Sequence, residues 1–339
     1  MPGRRVHLGV HRRWSFIMKG IVLTAYGDPA TGLELREVPE PASPGAGQVM
    51  VAVDYAPINF SDILVARGLY PLHPELPSVI GNEGAGRVLE VGAGVSNVRV
   101  GDRVALPMGN FTWRERMVVN ADGLVALPTD ADPHQLAMLT INPPTAHLLL
   151  ETYVHLQSDD WIAINAANSA IARWIVGFAR KKGVRTLGLV RRAEAISAAR
   201  EAGCDLVLLD DDDAPAKMAE ALGEKRARLA LDAVSGEAAG RLAKLLGPRG
   251  TLVSYAAPTF AAMAVSPFEV IFNDLTIRGF SLGNPDFAGQ IPGAILQASK
   301  MVAAGEVAIP VAATYRLEEI GAAISHQMRG GKVLLKIGD

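Results

Sequence analysis

An α/β protein, in which a doubly wound parallel sheet is inserted into a β-rich domain, is what the sequence predicts on three observations. Residues 18–136 alternate short β-like runs with Gly, Pro, Asn and Asp. Regular alternation of strand and helix begins only at Trp161. The chain then ends in a strand-like run, Lys332-Val333-Leu334-Leu335-Lys336, too short to stand alone. The expected division is an extension at 1–17, a β-rich domain from 18–140 and 310–339, and an α/β domain at 141–309. In the first domain, strands are expected near 21–24, 33–38, 48–54, 86–91, 103–106 and 116–119. In the second they are expected near 161–164, 186–190, 206–208, 229–231 and 251–254, with helices at 169–182, 214–222 and 237–246.

Residues 165–192 carry the most chemical information. The apolar run Trp161-Ile162-Ala163-Ile164 suits a buried parallel strand, and Ile171, Trp174, Ile175 and Phe178 recur at helical spacing after it. Between them lies Ala166-Ala167-Asn168-Ser169-Ala170, whose small side chains would let the backbone approach a pyrophosphate at the positive end of the helix. Gly183 closes the helix, and the next strand runs straight into Arg191 and Arg192, with no carboxylate before Glu194. An acid after this strand would take the ribose hydroxyl of NAD, whereas an arginine accommodates the extra phosphate of NADP, so the segment reads as a Rossmann-type site for NADPH. The turn lacks the glycine-rich string of that motif. The competing reading is an ordinary buried helix followed by two surface arginines.

Composition excludes several classes. The chain has 339 residues, 49% hydrophobic and 20% charged, with a formal net charge of −2, which argues against a nucleic-acid partner. A single cysteine, Cys204, allows neither an internal disulfide nor a cysteine-based zinc site. The seven histidines are scattered without paired ligand spacing, and the longest apolar stretch, near 137–150, is broken by Asn142-Pro143-Pro144. No membrane partner, no metal and a cytoplasmic location are expected. Residues 1–17 are basic and acid-free. A disordered tail after an upstream start codon is preferred there to a targeting peptide.

Several ordered motifs resemble one family: Ala56-Pro57-Ile58-Asn59-Phe60-Ser61-Asp62, Gly68-Leu69-Tyr70-Pro71, Gly81-Asn82-Glu83-Gly84-Ala85-Gly86, Asn142-Pro143-Pro144-Thr145-Ala146, residues 165–170, and Asp274-Leu275-Thr276-Ile277-Arg278-Gly279-Phe280. The chain from Met18 onward resembles the zinc-independent medium-chain dehydrogenases/reductases, and within them the enoyl thioester reductases. The resemblance implies a Rossmann NADPH domain inserted into a GroES-like catalytic domain. Where zinc-dependent cousins carry a cysteine and the histidine of G-H-E, this chain has Ser61 or its neighbours and Asn82, so a metal Lewis acid is not expected.

The implied chemistry is hydride transfer from NADPH to the β-carbon of a C=C bond conjugated to a carbonyl, with charge stabilisation and protonation to follow. Tyr70 matches the family tyrosine and stays protonated at neutral pH, although a Tyr-Pro turn with an aromatic lid would look the same. Asn59 would be a second catalytic polar group, or else the cap of the Ser61-Asp62 turn. For the cofactor the resemblance implies Asn142 and Thr145, the pyrophosphate turn Asn168, Ser169, Ala170 and Ile171, and the phosphate clamp Arg191 and Arg192. It adds Tyr255 and Ala256 beside a ribose, Phe280, Ser281 and Leu282 near the nicotinamide, and Lys332, which could equally be a solvated strand residue. Asn-Pro-Pro could also simply break a helix.

Two positions depart from the thioester reductases: Ser281 stands where a tryptophan is usual, and His147 where an aromatic is common. Ser281 would open space and remove an apolar wall, which counts against acyl-carrier or CoA substrates; a trans-2-enoyl thioester reductase is still placed slightly ahead of a quinone oxidoreductase or an enal/enone reductase. A crystallin-like NADPH-binding protein with little turnover stands as the third reading. By the same resemblance the protein is expected to be a homodimer joined through an edge strand at residues 275–278.

Overall fold

The computed structural model describes residues 17–338, so the expected extension lies, but for Ile17, outside the described residues. Before the insertion come β1 (Ile17–Leu23), β2 (Leu33–Pro39), β3 (Gln48–Ile58), β4 (Ser78–Val79), β5 (Gly84–Val91), β6 (Arg103–Leu106) and β7 (Arg116–Asn120). The α/β part carries β8 (Trp161–Ile164), β9 (Arg185–Val190), β10 (Leu206–Leu209), β11 (Ala227–Asp232), β12 (Leu246–Ser254) and β13 (Thr276–Gly279). The chain closes with β14 (Val311–Arg316) and β15 (Lys332–Lys336).

The parallel sheet has the order β10-β9-β8-β11-β12-β13, which is the doubly wound Rossmann order with its switch point between β8 and β11. A ligand on such a sheet belongs at the carboxyl ends of the strands beside that point. β8 is buried along its whole length, as its unbroken apolar run predicts. The helix Ala170–Lys181 covers it and inserts Trp174, Ile175 and Phe178 into the main core. Each such side chain contributes roughly 1.5–3 kcal/mol of burial, so Trp174→Ala, at a site 1% exposed, should cost about 3–5 kcal/mol.

The second large sheet has the order β14-β15-β3-β5-β6, with β7 also paired to β3. The C-terminal β15 thus returns to the β-rich part, antiparallel to β3, with Val333 opposite Ile58. A smaller sheet, β2-β1-β4, flanks it.

Three local expectations change. β3 runs on to Ile58 instead of stopping near Asp54, because β15 takes over as its partner where pairing with β5 ends at Tyr55. Pro57 is tolerated there because its missing N–H can face the open side. The helix expected at 237–246 is Gly236–Ala243, and Leu246 instead starts β12 opposite Ala227. β4 and β14 carried no pattern strong enough to be read from the sequence, being two residues long and half-buried, respectively.

Candidate active site

The nucleotide end is built by the β8 turn. Ala166 adopts φ +46, and Ser169 caps the helix by accepting the Ala172 N–H at 3.3 Å. The N–H groups of Ala170 and Ile171 point out of the first turn with no intrahelical acceptor, which suits an anion. Gly188 permits the close packing beneath: a Cβ there would lie 2.7 Å from that of Ala167 and 3.0 Å from the Cys204 sulfur. An open depression of about 440 Å³ lies beside the turn, lined by Asn168, Arg192, Glu194, Ala195 and Ala198. Arg191 is exposed next to it but is not part of its lining.

Beneath the turn sits a buried brace that sequence reasoning missed. Asp232, fully buried at the end of β11, accepts from the Asn165 amide at 2.7 Å, from the Val234 and Ser235 N–H groups at 3.0 Å each, and from the Ser254 hydroxyl at 3.0 Å. One carboxylate thereby ties the ends of β8, β11 and β12. Its only sequence signal was an acid closing the apolar run Leu229-Ala230-Leu231.

The reaction end is a buried charge cluster drawn from distant segments. Asp62 is 1% exposed, Glu83 0% and Lys332 9%. The Lys332 ammonium donates to Asn59 Oδ1 at 2.5 Å and stands 4.0 Å from Glu83. Asn59 Nδ2 donates to Glu83 Oε1 at 2.8 Å, and Glu83 Oε2 accepts from the N–H groups of Thr140 at 3.2 Å and Ile141 at 3.0 Å. Asp62 accepts the Asn59 backbone N–H at 2.7 Å, while its other oxygen is buried without a partner.

Burial pushes the Glu83 carboxyl up and the Lys332 ammonium down, and their mutual attraction opposes both shifts. The Asp62 carboxyl, desolvated first and then repelled by Glu83, is pushed up to about 7.

Two expectations are corrected here. Lys332 is no solvated strand residue; its ammonium ends inside this cluster. Asn59 makes no capping bond with its side chain, since Asp62 supplies the cap, and its amide is committed to Lys332 and Glu83. Its side chain is therefore held between Lys332 and Glu83 inside the buried cluster. Glu83 and Asp62 were not assigned roles from sequence, although both lie in the quoted motifs.

Tyr70 follows the helix Phe60–Ala66 and is half-buried against the core that holds Ile63 and Ile58. Burial and then the Asp62 charge raise its phenol pKa, which keeps the proton on it. Its turn is clamped: Gly68 takes φ +69, the Tyr26 hydroxyl donates to the Pro74 carbonyl at 2.6 Å, and His73 Nε2 lies 3.1 Å from the Gly68 carbonyl.

The remaining expected residues separate. Asn142 opens the helix Asn142–Thr152 half-buried, directly after the N–H groups held by Glu83, and Thr145 is buried one turn in. Ser281 and Ala256 are exposed. Leu282 has its side chain buried with Leu148 and Phe287, and the half-buried Phe280 stacks on Phe287 at 5.2 Å. Tyr255 likewise turns inward, its hydroxyl buried without a partner and its pKa raised by desolvation. His147 packs edge-on to Phe178 at 5.5 Å, between two helices of the α/β part.

Comparison with known proteins agrees with this architecture. A family model described as alcohol dehydrogenase GroES-like domain matches residues 45–129, and one described as zinc-binding dehydrogenase matches residues 170–299. The mitochondrial enoyl-[acyl-carrier-protein] reductase of Bos taurus is 32% identical over 315 residues, covering 89% of this chain and 83% of the relative. Its namesake from Xenopus tropicalis is 34% identical over 277 residues, covering 80% and 79%. The chain belongs to the medium-chain dehydrogenase/reductase superfamily, in its enoyl reductase and quinone oxidoreductase branch.

Within that branch the fold is shared with a putative NADPH:quinone reductase from Bacillus thuringiensis (TM-score 0.86, 24% identity, 95% of this chain and 99% of that one). It is also shared with Etr1p in complex with NADP and crotonyl-CoA (TM-score 0.84, 22% identity, 95% and 100%). Among the described residues no group of three His, Cys, Asp or Glu is placed to hold a metal, and no helix is long and apolar enough to cross a membrane.

Proposed function

We propose that this protein is an NADPH-dependent reductase of C=C bonds conjugated to a carbonyl, with trans-2-enoyl thioesters of coenzyme A or acyl carrier protein as its substrate class. The observation that carries the reading is the pairing of a protonated, clamped Tyr70 with the buried Asp62–Asn59–Glu83–Lys332 cluster in the β-rich part. The names of the relatives supply the substrate class.

The residues present fit NADPH. The free N–H groups of Ala170 and Ile171 would take its pyrophosphate, Asn168 and Arg192 with Arg191 its extra phosphate, and Asn142 and Lys332 its nicotinamide half. Bound there, the cofactor supplies a hydride. Tyr70 holds a proton that it can donate to the substrate carbonyl oxygen or to the carbon beside it, directly or through water. Lys332 adds a fixed positive charge in a low-dielectric setting, where charge acts most strongly. The division into 18–140 with 310–339 and 141–309 goes with this reading, as do the absence of a resident zinc and of nucleic-acid or membrane partners.

A second reading, reduction of quinones or small enals, is favoured by Ser281, an exposed hydroxyl where the thioester reductases resemble one another in carrying tryptophan. Turnover of 2-enoyl thioesters with NADPH, compared with quinones under the same conditions, tests the two.

We also infer a homodimer. All four residues of edge strand β13 are exposed, and the neighbouring helix Pro267–Phe272 exposes Phe268 at 71%, Ile271 at 69% and Phe272 at 75%. Leu275, expected on this edge, is buried, so the pairing strand is β13 itself. Phe272→Asp with Phe268→Asp should leave a monomer in sedimentation; an unchanged dimer would remove this interface. A cytoplasmic location is carried with the proposal against the relatives' mitochondrial names, and fractionation of cells expressing the full chain decides between them.

A further inference from the structure

The polarity of the buried chain is fixed by chemistry. An ammonium only donates and a carboxylate only accepts, so an amide between them has one workable orientation. Asn59 adopts it, carbonyl oxygen to Lys332 at 2.5 Å and amide nitrogen to Glu83 at 2.8 Å. The second Glu83 oxygen takes the Thr140 and Ile141 N–H groups, the two that immediately precede Asn142. The stem of Glu83 is held as well, by the Thr112 hydroxyl on its backbone carbonyl at 2.8 Å. A single carboxylate therefore touches the start of the Asn142 helix with one oxygen and, through one amide, the lysine 273 residues from Asn59 with the other.

We propose that Glu83 is a positioning residue for the reaction: it orients the Asn59 amide so that the Lys332 ammonium is held charged and in one place, and it fixes the entry to the Asn142 helix in the same act. This rests on the reading above that Lys332 and Asn142 serve the cofactor. Removing the charge from Glu83 while keeping its shape reverses the amide's preference. In Glu83→Gln the new NH₂ faces Asn59 while the carbonyl keeps Thr140 and Ile141; Asn59 must turn to accept from it, and its own NH₂ then confronts the Lys332 ammonium. Moving the charge one step along the chain repairs this. In Asn59→Asp combined with Glu83→Gln, the new carboxylate accepts from both the Gln amide and Lys332, with the same net charge and the same number of bonds.

The test compares Glu83→Gln, the double variant and Lys332→Met in the full chain, measuring kcat, KM, NADPH affinity, the pH profile and thermal unfolding. Glu83→Gln should lose on the order of 10- to 100-fold in kcat/KM, the worth of one charge-assisted hydrogen bond. Its alkaline limb should move to lower pH, because Lys332 then keeps only Asp62 as an anionic neighbour, and Tyr70 faces the same Asp62. The double variant should recover to within a few-fold of the parent and return the limb to its place.

A double variant that folds but stays as poor as Glu83→Gln overturns the proposal, as does a Glu83→Gln protein with parental kinetics and an unmoved limb. If Glu83→Gln alone fails to fold, the activity of the double variant decides in the same way. Lys332→Met with parental kcat/KM and NADPH affinity would instead overturn the reading on which the proposal rests. An inactive Lys332→Met beside a fully active Glu83→Gln overturns only the positioning role.

Discussion

At the proposed nucleotide end the charged groups are exposed: Arg191 and Arg192 stand in solvent, and the donors proposed for an anion are backbone N–H groups. At the reaction end Asp62, Glu83 and Lys332 are buried and bonded to the protein. The contrast reflects two tasks. Affinity for a polyanion is gained by surface charges that lose little when empty, whereas chemistry needs groups whose geometry and protonation are set before the substrate arrives. A buried charge left without its partner is costly, so the reaction end must be satisfied internally.

The largest expected effect lies at the reaction end. Tyr70→Phe should lower kcat by roughly 10²- to 10⁴-fold while leaving NADPH affinity unchanged, as measured by turnover and by cofactor fluorescence titration. Equal losses of both would make the two ends one unit and break the contrast.

Second comes the brace under the nucleotide turn. Asp232→Ala strands the Asn165 amide and two N–H groups, and should cost about 3–5 kcal/mol in denaturant unfolding while weakening NADPH and NADH alike. A selective loss of NADPH would assign Asp232 a role at the phosphate instead.

Third, Arg191→Ala with Arg192→Ala should weaken NADPH by roughly 10- to 100-fold and NADH by far less, with no change in stability. Glu194 lines the same depression, so Glu194→Gln should tighten NADPH modestly. Equal weakening of both cofactors by the arginine variant would show that these arginines do not read the extra phosphate.

The last effect sharpens the comparison through pH. Asp62 titrates near 7 in the folded protein against 3.8 as the ordinary value, so its contribution to stability is fully present below about pH 4 and is lost as pH rises through 7. Asp62→Asn keeps an acceptor for the Asn59 N–H and should match the parent at pH 4 but exceed it by about 4 kcal/mol at pH 8, read from unfolding curves. A constant difference across that range would mean that Asp62 stays ionised.

The nucleotide half was the more legible in sequence, for a physical reason. Its central strands are buried on both faces and its turn is local, so apolar runs and an N-cap at Ser169 suffice; residues 161–164 and 214–222 were read with the bounds the structure shows. The fold's return to the first domain was readable from Lys332 to Lys336 alone. The reaction end resisted because its contacts span the chain: Asn59 meets Glu83 across 24 residues and Lys332 across 273. A lysine in a short terminal strand carries no local mark of burial. Motif matching found Asn59 and Lys332 but could not say that they bond to each other, nor that Leu282 and Tyr255 turn into the core.

The most direct test of the central claim is turnover by the purified full chain with NADPH and crotonyl-CoA, alongside a longer 2-enoyl thioester, an enal and a quinone, followed by the loss of reduced nicotinamide absorbance, with NADH as control. The account predicts that the enoyl thioesters are reduced fastest and that NADPH is preferred over NADH. Turnover of the quinone alone, or tight NADPH binding with no turnover of any acceptor, would contradict it.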